Sequence, residues 1–364
     1  MTKARNLADL LNADGQIDNA DIADNTIANA KLEQTPNFRN IIINGDMSIA
    51  QRGTSFTGLT NGDNSEYLVD RFNFSESGSE TFVFTVSQST DVPTGQGFAN
   101  SLKYLVTTAD TSLDSLGGVA LNYRFEGQML QYLKKGTANA ESLTLSFWFK
   151  SSLTGTYIAE LFDKDNDRTI SKSYTVNTAD TWEKKTITFA GDTTGAFDND
   201  NARSMDLTFW FSAGSGYQSG TLQTSWGPNT AANRGVGQVD WSATASNELY
   251  ITGVQLEAGT TASDFEFLPY DVNLQRCQRY CYAYANYGAG PTSGNYMLSA
   301  RYATSGSHTT IVYPTQMRIQ PSITYGTGGG GVVDTDYSTP SNLQLYDAAD
   351  AGWYIYDVLA EAEL

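Results

Sequence analysis

The sequence predicts an all-β protein: a jelly-roll β-sandwich with an extended N-terminal arm, a short linking helix and a smaller C-terminal β domain. Three observations predict it. Charged residues are only 17% of the 364, and Gly, Ser, Thr, Asn and Tyr are abundant, which is the composition of strands and turns. Apolar side chains alternate along several segments: Leu143, Leu145, Phe147 and Phe149 in ESLTLSFWFK, Leu207, Phe209 and Phe211 in SMDLTFWFSA, Phe82, Phe84 and Val86 in ETFVFTVS, and Ile187 and Phe189 in KKTITFA. A period of two is that of a strand with one buried face. Turn clusters such as NGDNS, DKDND and GDTTG separate these runs, and so many short strands suit a sandwich.

Residues 1–36 read as an arm. Leu7, Leu10 and Leu11 have helical spacing ahead of Gly15. Ile17, Ile22, Ile27 and Leu32 then recur every five residues. One apolar residue in five cannot bury itself within one chain, so the arm packs on copies of itself or in a partner's groove; the alternative is a disordered linker.

The sandwich takes residues 37–270. It opens on NIIINGDMSIAQRG, where Ile41–Ile43 has the chemistry of a buried strand and Asn44-Gly45 that of a turn. It closes with NELYITGVQLEAG and FEFLPY. Over residues 271–284, Leu274, Cys277, Cys281 and Tyr284 fall at 3-4-3 spacing, the seam of a linking helix. Residues 285–364, rich in Tyr and Gly, form the second β domain.

Net charge is −18, from 40 acidic and 22 basic residues. Phosphate backbones need a basic footprint, so nucleic acid is excluded as a partner. No run of some 18 apolar residues exists to insert in a membrane, and the first residues lack a secretory core. The two cysteines carry no partners for a metal site and read as small apolar residues, consistent with folding in a reducing cytoplasm.

Local motifs give little chemistry. DKDNDR (163–168) starts like an EF-hand loop, but Arg168 replaces the required Gly and Tyr174 stands at position twelve, so it reads as a hairpin turn. GTGGGG (326–331) opens no helix and reads as a loop. His308 is the single histidine, and no G-x-S-x-G or H-E-x-x-H is present. The expectation is a protein that is not an enzyme.

NIIINGDMSIAQRGTSF, YLVDRF, ITGVQLEAGTTASDFEFLPYDVNLQRCQRYCYAY and YPTQMRIQPSITY together resemble bacteriophage and prophage tail-fibre proteins with a carbohydrate-binding-module-like jelly roll. The resemblance spans residues 37–325 and implies a homotrimeric virion protein, assembled in the host cytoplasm and attached to a host surface glycan or receptor. Residues 1–36 would then dock to other virion proteins. A capsid or neck decoration fibre is the alternative, and an endoglycosidase a more remote one. Jelly rolls of this kind imply a structural Ca2+ where the first strand meets the last, here with Asn44, Asp46 and Glu257 as oxygen ligands; otherwise Asp46 caps a turn and Glu257 pairs with Arg52 or Arg71. Trp148 and Trp210 break the phenylalanine alternation and face the wetter side, where sugar rings stack; the competing reading packs them on a neighbouring subunit or on the flanking loops. Tyr325, Tyr337 and Trp353 are the expected receptor-contact tip.

Overall fold

The computed structural model describes residues 38–63, 66–284, 300–301, 307–328, 338–347 and 354–364. The five-residue repeat, Tyr337 and Trp353 lie outside the described residues.

Two six-stranded sheets face each other. One runs β1 (Ser55–Leu59), β3 (Val83–Ser89), β4 (Ser101–Thr108), β12 (Glu248–Ala258), β6 (Leu143–Ser151) and β9 (Glu183–Phe189). The other runs β11 (Gly227–Pro228), β8 (Arg168–Val176), β7 (Gly155–Asp163), β10 (Arg203–Ala213), β5 (Gly118–Glu126) and β2 (Phe72–Ser77). The pairing makes this a jelly roll. β7 pairs with β8, β6 with β9, β5 with β10 and β4 with β12, all antiparallel. A long two-stranded ribbon, its successive pairs on alternate sheets, is thus rolled around one core.

The alternating residues fill that core. Phe82, Phe84, Val86, Leu145, Phe147, Phe149, Leu207, Phe209 and Phe211 are all fully buried. Phe147 meets Phe209 edge-on across the sheets at 5.0 Å, and Tyr104 meets Phe211 at 5.2 Å. Edge-to-face pairs of this kind add about 0.5–1.5 kcal/mol each beyond area burial.

Ile41–Ile43 is buried as expected but is not a regular strand. Side chains replace part of the ladder. Asn40 Oδ1 accepts from the amides of Ile42 (3.0 Å) and Leu256 (3.1 Å), and the Ile43 amide donates to Tyr123 Oη (2.9 Å). At Gly45 a Cβ would lie 2.0 Å from the Val254 carbonyl, so only glycine lets this loop reach β12.

The linking helix is Tyr270–Gln278, shorter than the seam predicts. Cys281–Tyr284 is instead a strand, β13, paired to β18 (Tyr354–Glu361). Strand pairing overrides the helical spacing there, and Tyr284 packs against the C-terminal core. Both cysteines are buried and free, and burial pushes both thiols well above their usual range, leaving them inert.

Two three-stranded sheets follow: β13, β18 and β16 (Ser322–Gly328), then β14 (Ala300–Arg301), β15 (Ser307–Val312) and β17 (Asn342–Asp347). The first three residues of GTGGGG thus belong to β16. Ile311, Tyr313, Met317, Leu343, Val358, Ala360 and Ala362 form a separate small core.

Residues 361–364 then return to the sandwich. Arg52 bonds Glu361 (2.6 Å) and Glu363 (3.1 Å), and fully buried Arg71 pairs with Glu363 beneath the Tyr280 ring, 3.5 Å from its centroid. Arg318 binds the Ala362 and Glu363 carbonyls. The motifs AQRG, YLVDRF and MRIQ therefore meet at one joint.

Candidate functional site

The outward face of the β2–β5–β10–β7 layer carries a trough. Strand register sets its floor. Ser75, Ala120, Trp210 and Ile158 stand side by side on β2, β5, β10 and β7, and Asn73, Asn122, Thr208 and Glu160 form the next row. The residues beside the indole on β2 and β5 are Ser75, Ser77, Gly118 and Ala120. With so little side chain there, the sheet surface dips next to Trp210, leaving a cavity of about 190 Å³.

Side chains from outside the four strands shape the far wall. Tyr217 stacks tilted on Trp210 with centroids 5.0 Å apart. Arg234 reaches over the sheet and grips fully buried Glu160 at two points, Nη2–Oε1 2.5 Å and Nε–Oε2 2.9 Å. Its guanidinium lies 5.2 Å from the centroids of both Phe162 and Trp210. Burial works against the Arg234 charge, but the Glu160 carboxylate more than offsets it and holds the pKa above its usual value. Arg203 is bonded to Asp206 in the same way, Nε–Oδ1 2.6 Å.

Two polar atoms of the floor remain unsatisfied. Trp210 is 5% exposed and Asn122 8%, and neither the indole Nε1 nor the Asn122 Oδ1 has a hydrogen-bond partner among the described residues. A buried donor and a buried acceptor left unmade are costly. A saccharide, whose hydroxyls both donate and accept, offers a partner to each. Glu76 lines the trough at its β2 end, and burial, with help from Glu80 and Asp63, raises its pKa to about 7.

Trp148 occupies the opposite outer face. It stands on β6 opposite Thr252 of β12 and Lys184 of β9. A cavity of about 280 Å³ opens there between Trp148, Phe98, Phe265 and Phe267, with Lys184, Gln96 and Asp264 as its polar groups. The two tryptophans therefore belong to two clefts, not to one platform.

The expected calcium ligands do not come together as a cation site. The Asn44 side chain is fully used by the protein: Oδ1 accepts from the Ile49 amide (2.8 Å) and Nδ2 donates to the Ile49 and Asp70 carbonyls (2.9 Å each). Asp46 accepts from Ser48 and Asn273. Glu257 accepts from Ser263 and Gln255, with Arg39 at 3.8 Å in place of the expected Arg52 or Arg71. These oxygens already receive N–H and O–H donors, and the residues do not fit Ca2+. No cluster of three acidic, His or Cys side chains suited to a metal exists among the described residues.

Of the expected tip, Tyr325 is half-buried against the C-terminal core, on β16 opposite Val358. Tyr337 and Trp353 lie outside the described residues.

No protein-family model and no curated protein matches the sequence. Solved structures do match part of it. The enzymatically active domain of tailspike protein 4 of bacteriophage CBA120 aligns with 14% identity and a TM-score of 0.31, over 56% of this chain and 21% of that chain. A family 4 carbohydrate-binding module aligns with 12% identity and a TM-score of 0.31, over 59% of this chain and 97% of that one. The family 11 carbohydrate-binding module of a Clostridium thermocellum cellulosomal cellulase aligns with 12% identity and a TM-score of 0.29, over 55% and 94%. All three TM-scores are below 0.5, and the jelly-roll assignment rests on the strand pairing itself.

Proposed function

We propose that this chain is a glycan-binding fibre protein of a phage particle, which attaches as a homotrimer to a host surface saccharide and performs no hydrolysis. One observation carries the binding: the Trp210 trough, where an aromatic wall adjoins an unsatisfied donor and an unsatisfied acceptor. Apolar ring faces beside a few convergent polar atoms are the make-up of a saccharide site. Three copies on one fibre turn weak single contacts into firm attachment, because the second and third contacts are effectively intramolecular.

The reading without catalysis also has a physical basis. Hydrolysis needs two carboxylates across the scissile bond. Glu76 titrates near the useful range, but Asp206 and Glu160 are committed to Arg203 and Arg234. The likeness to tail-fibre motifs supplies the virion and trimer parts, with residues 1–36 docking to other virion proteins.

The experiment is a glycan array and host-polysaccharide retention assay on the full chain beside Trp210→Phe, with the mass measured by sedimentation. Retention by the wild type, weakened in the variant, at three times the chain mass, supports the proposal. No retention leaves a structural decoration fibre, and new reducing ends in the polysaccharide would make it an enzyme.

A further inference from the structure

The two ends of the Trp210 trough differ in charge. Glu76 stands at the β2 end. At the other end, two rows beyond the indole, Phe162 and Asp206 sit side by side on β7 and β10, and Arg203 and Arg234 line the cavity. Each arginine binds one carboxylate, Asp206 or Glu160, through its Nε and Nη2. No hydrogen bond among the described residues uses the Nη1 of either. A guanidinium carries five N–H donors, so both arginines keep donors to offer.

Lys164 adds a cation without an acid of its own. It is exposed on the β7–β8 turn DKDNDR. Its amide bonds the Ser204 carbonyl, beside Arg203, and its Nζ lies 4.1 Å from the Phe162 centroid. The Arg234 guanidinium lies 5.2 Å from the same ring. Lys164 makes no ion pair among the described residues, and the acids of its own turn are engaged elsewhere: Asp165 by the Asp198 amide and Asp167 by Asn229. Partial burial, and next Arg203, push the Lys164 pKa down, and Asp206 does not make up the difference. Three cations thus gather against their own repulsion on a chain of net charge −18. An anion from outside would relieve it.

The indole is the second, independent sign of a ligand. Trp210 is 5% exposed, and its Nε1 on the trough floor has no hydrogen-bond partner among the described residues. Arg234 bridges the two features, since its guanidinium is 5.2 Å from the Trp210 centroid as well. A ligand that takes the indole N–H is therefore beside Arg234, with Arg203 and Lys164 beyond. A guanidinium fork matches the geometry of a carboxylate or phosphate.

We propose that the saccharide of this trough is acidic, with its neutral ring at Trp210 and its carboxylate, sulfate or phosphate turned toward Arg234, Arg203 and Lys164, away from Glu76. The inference rests on the glycan reading above and names the ligand class of that site.

The test is an array of carboxylated, sulfated and phosphorylated saccharides, each beside its neutral parent, probed with the full chain at low and high salt. One or more acidic members are expected to bind about tenfold more tightly than their parents at low salt, with the advantage shrinking as salt screens it. Which acid does so identifies the substituent. Lys164 is exposed, so Lys164→Gln is expected to fold as wild type and to cut the acidic-to-neutral ratio about threefold; Lys164→Glu is expected to abolish it. Acidic and neutral members bound equally would overturn this proposal and leave the glycan reading standing. A ratio unmoved by both Lys164 variants would overturn it too. No binding to any member would remove the glycan reading and this inference with it.

Discussion

The tripeptide Phe-Trp-Phe occurs twice, at 147–149 on β6 and 209–211 on β10. The two copies lie on opposed sheets, and their first phenylalanines touch across the core. Both send the indole outward, because alternation leaves no other choice. There the likeness ends. Trp210 lies beneath Tyr217 and Arg234 at the floor of a trough. Trp148 is half-buried in a wider cleft rimmed by Phe98, Phe265 and Phe267. Local sequence decides which way a ring points, and distant loops decide what it meets.

Breaking the shared part has the largest effect. Phe147→Ala and Phe209→Ala are each expected to cost about 3–5 kcal/mol in chemical denaturation. Because the two rings touch, the double variant should cost less than the sum, with a coupling of roughly 0.5–3 kcal/mol. Strict additivity would mean that the two triplets do not share a core.

The second prediction separates the faces. Arg234→Met strands the fully buried Glu160 carboxylate and is expected to cost about 3 kcal/mol. Lys184→Met, in the Trp148 cleft, should stay within about 0.5 kcal/mol of wild type. Equal costs would remove the distinction between a roofed and an open tryptophan.

Trp210→Phe keeps a ring and deletes the unsatisfied N–H, so saccharide binding is expected to fall about tenfold, or some 1.4 kcal/mol. Trp148→Phe should change the same titration little. The reverse order would move the site to the other face.

The smallest effect is in pH. The folded-state pKa of Glu76 is raised to about 7 from 4.5, so between these values the folded chain holds a proton that the unfolded chain has released. Its contribution favours folding at low pH and is lost as pH rises through that window. Glu76→Gln should flatten the stability profile between pH 4.5 and 7, and raise stability at pH 8 by about 1 kcal/mol after solvent screening. An unchanged profile would show that Glu76 titrates normally.

The sandwich was legible because period-two patterning sets its paired sheets, as the buried phenylalanines attest. The outward tryptophans could be read for the same reason. Tyr217, Glu160 and Arg234 could not, since only tertiary folding brings them to the indole. One signal did exist: Arg234 is the only basic residue between Arg203 and Arg276, and an isolated cation in so long a stretch implies a specific partner. The helix end was misread because the 3-4-3 spacing persists past Gln278, where pairing to a strand some 80 residues later prevails. The calcium ligands were misread because carboxylates near both ends of a sandwich say nothing about which protein donors already hold them.

The joint formed by Arg52, Arg71 and Glu363 has a mechanical meaning. Tension on the C-terminal sheets enters the sandwich through β13 and the returning tail together, at adjacent points. The load is shared between covalent chain and buried ion pairs, so the C-terminal sheets are held by two tethers, and twisting about either one is resisted by the other.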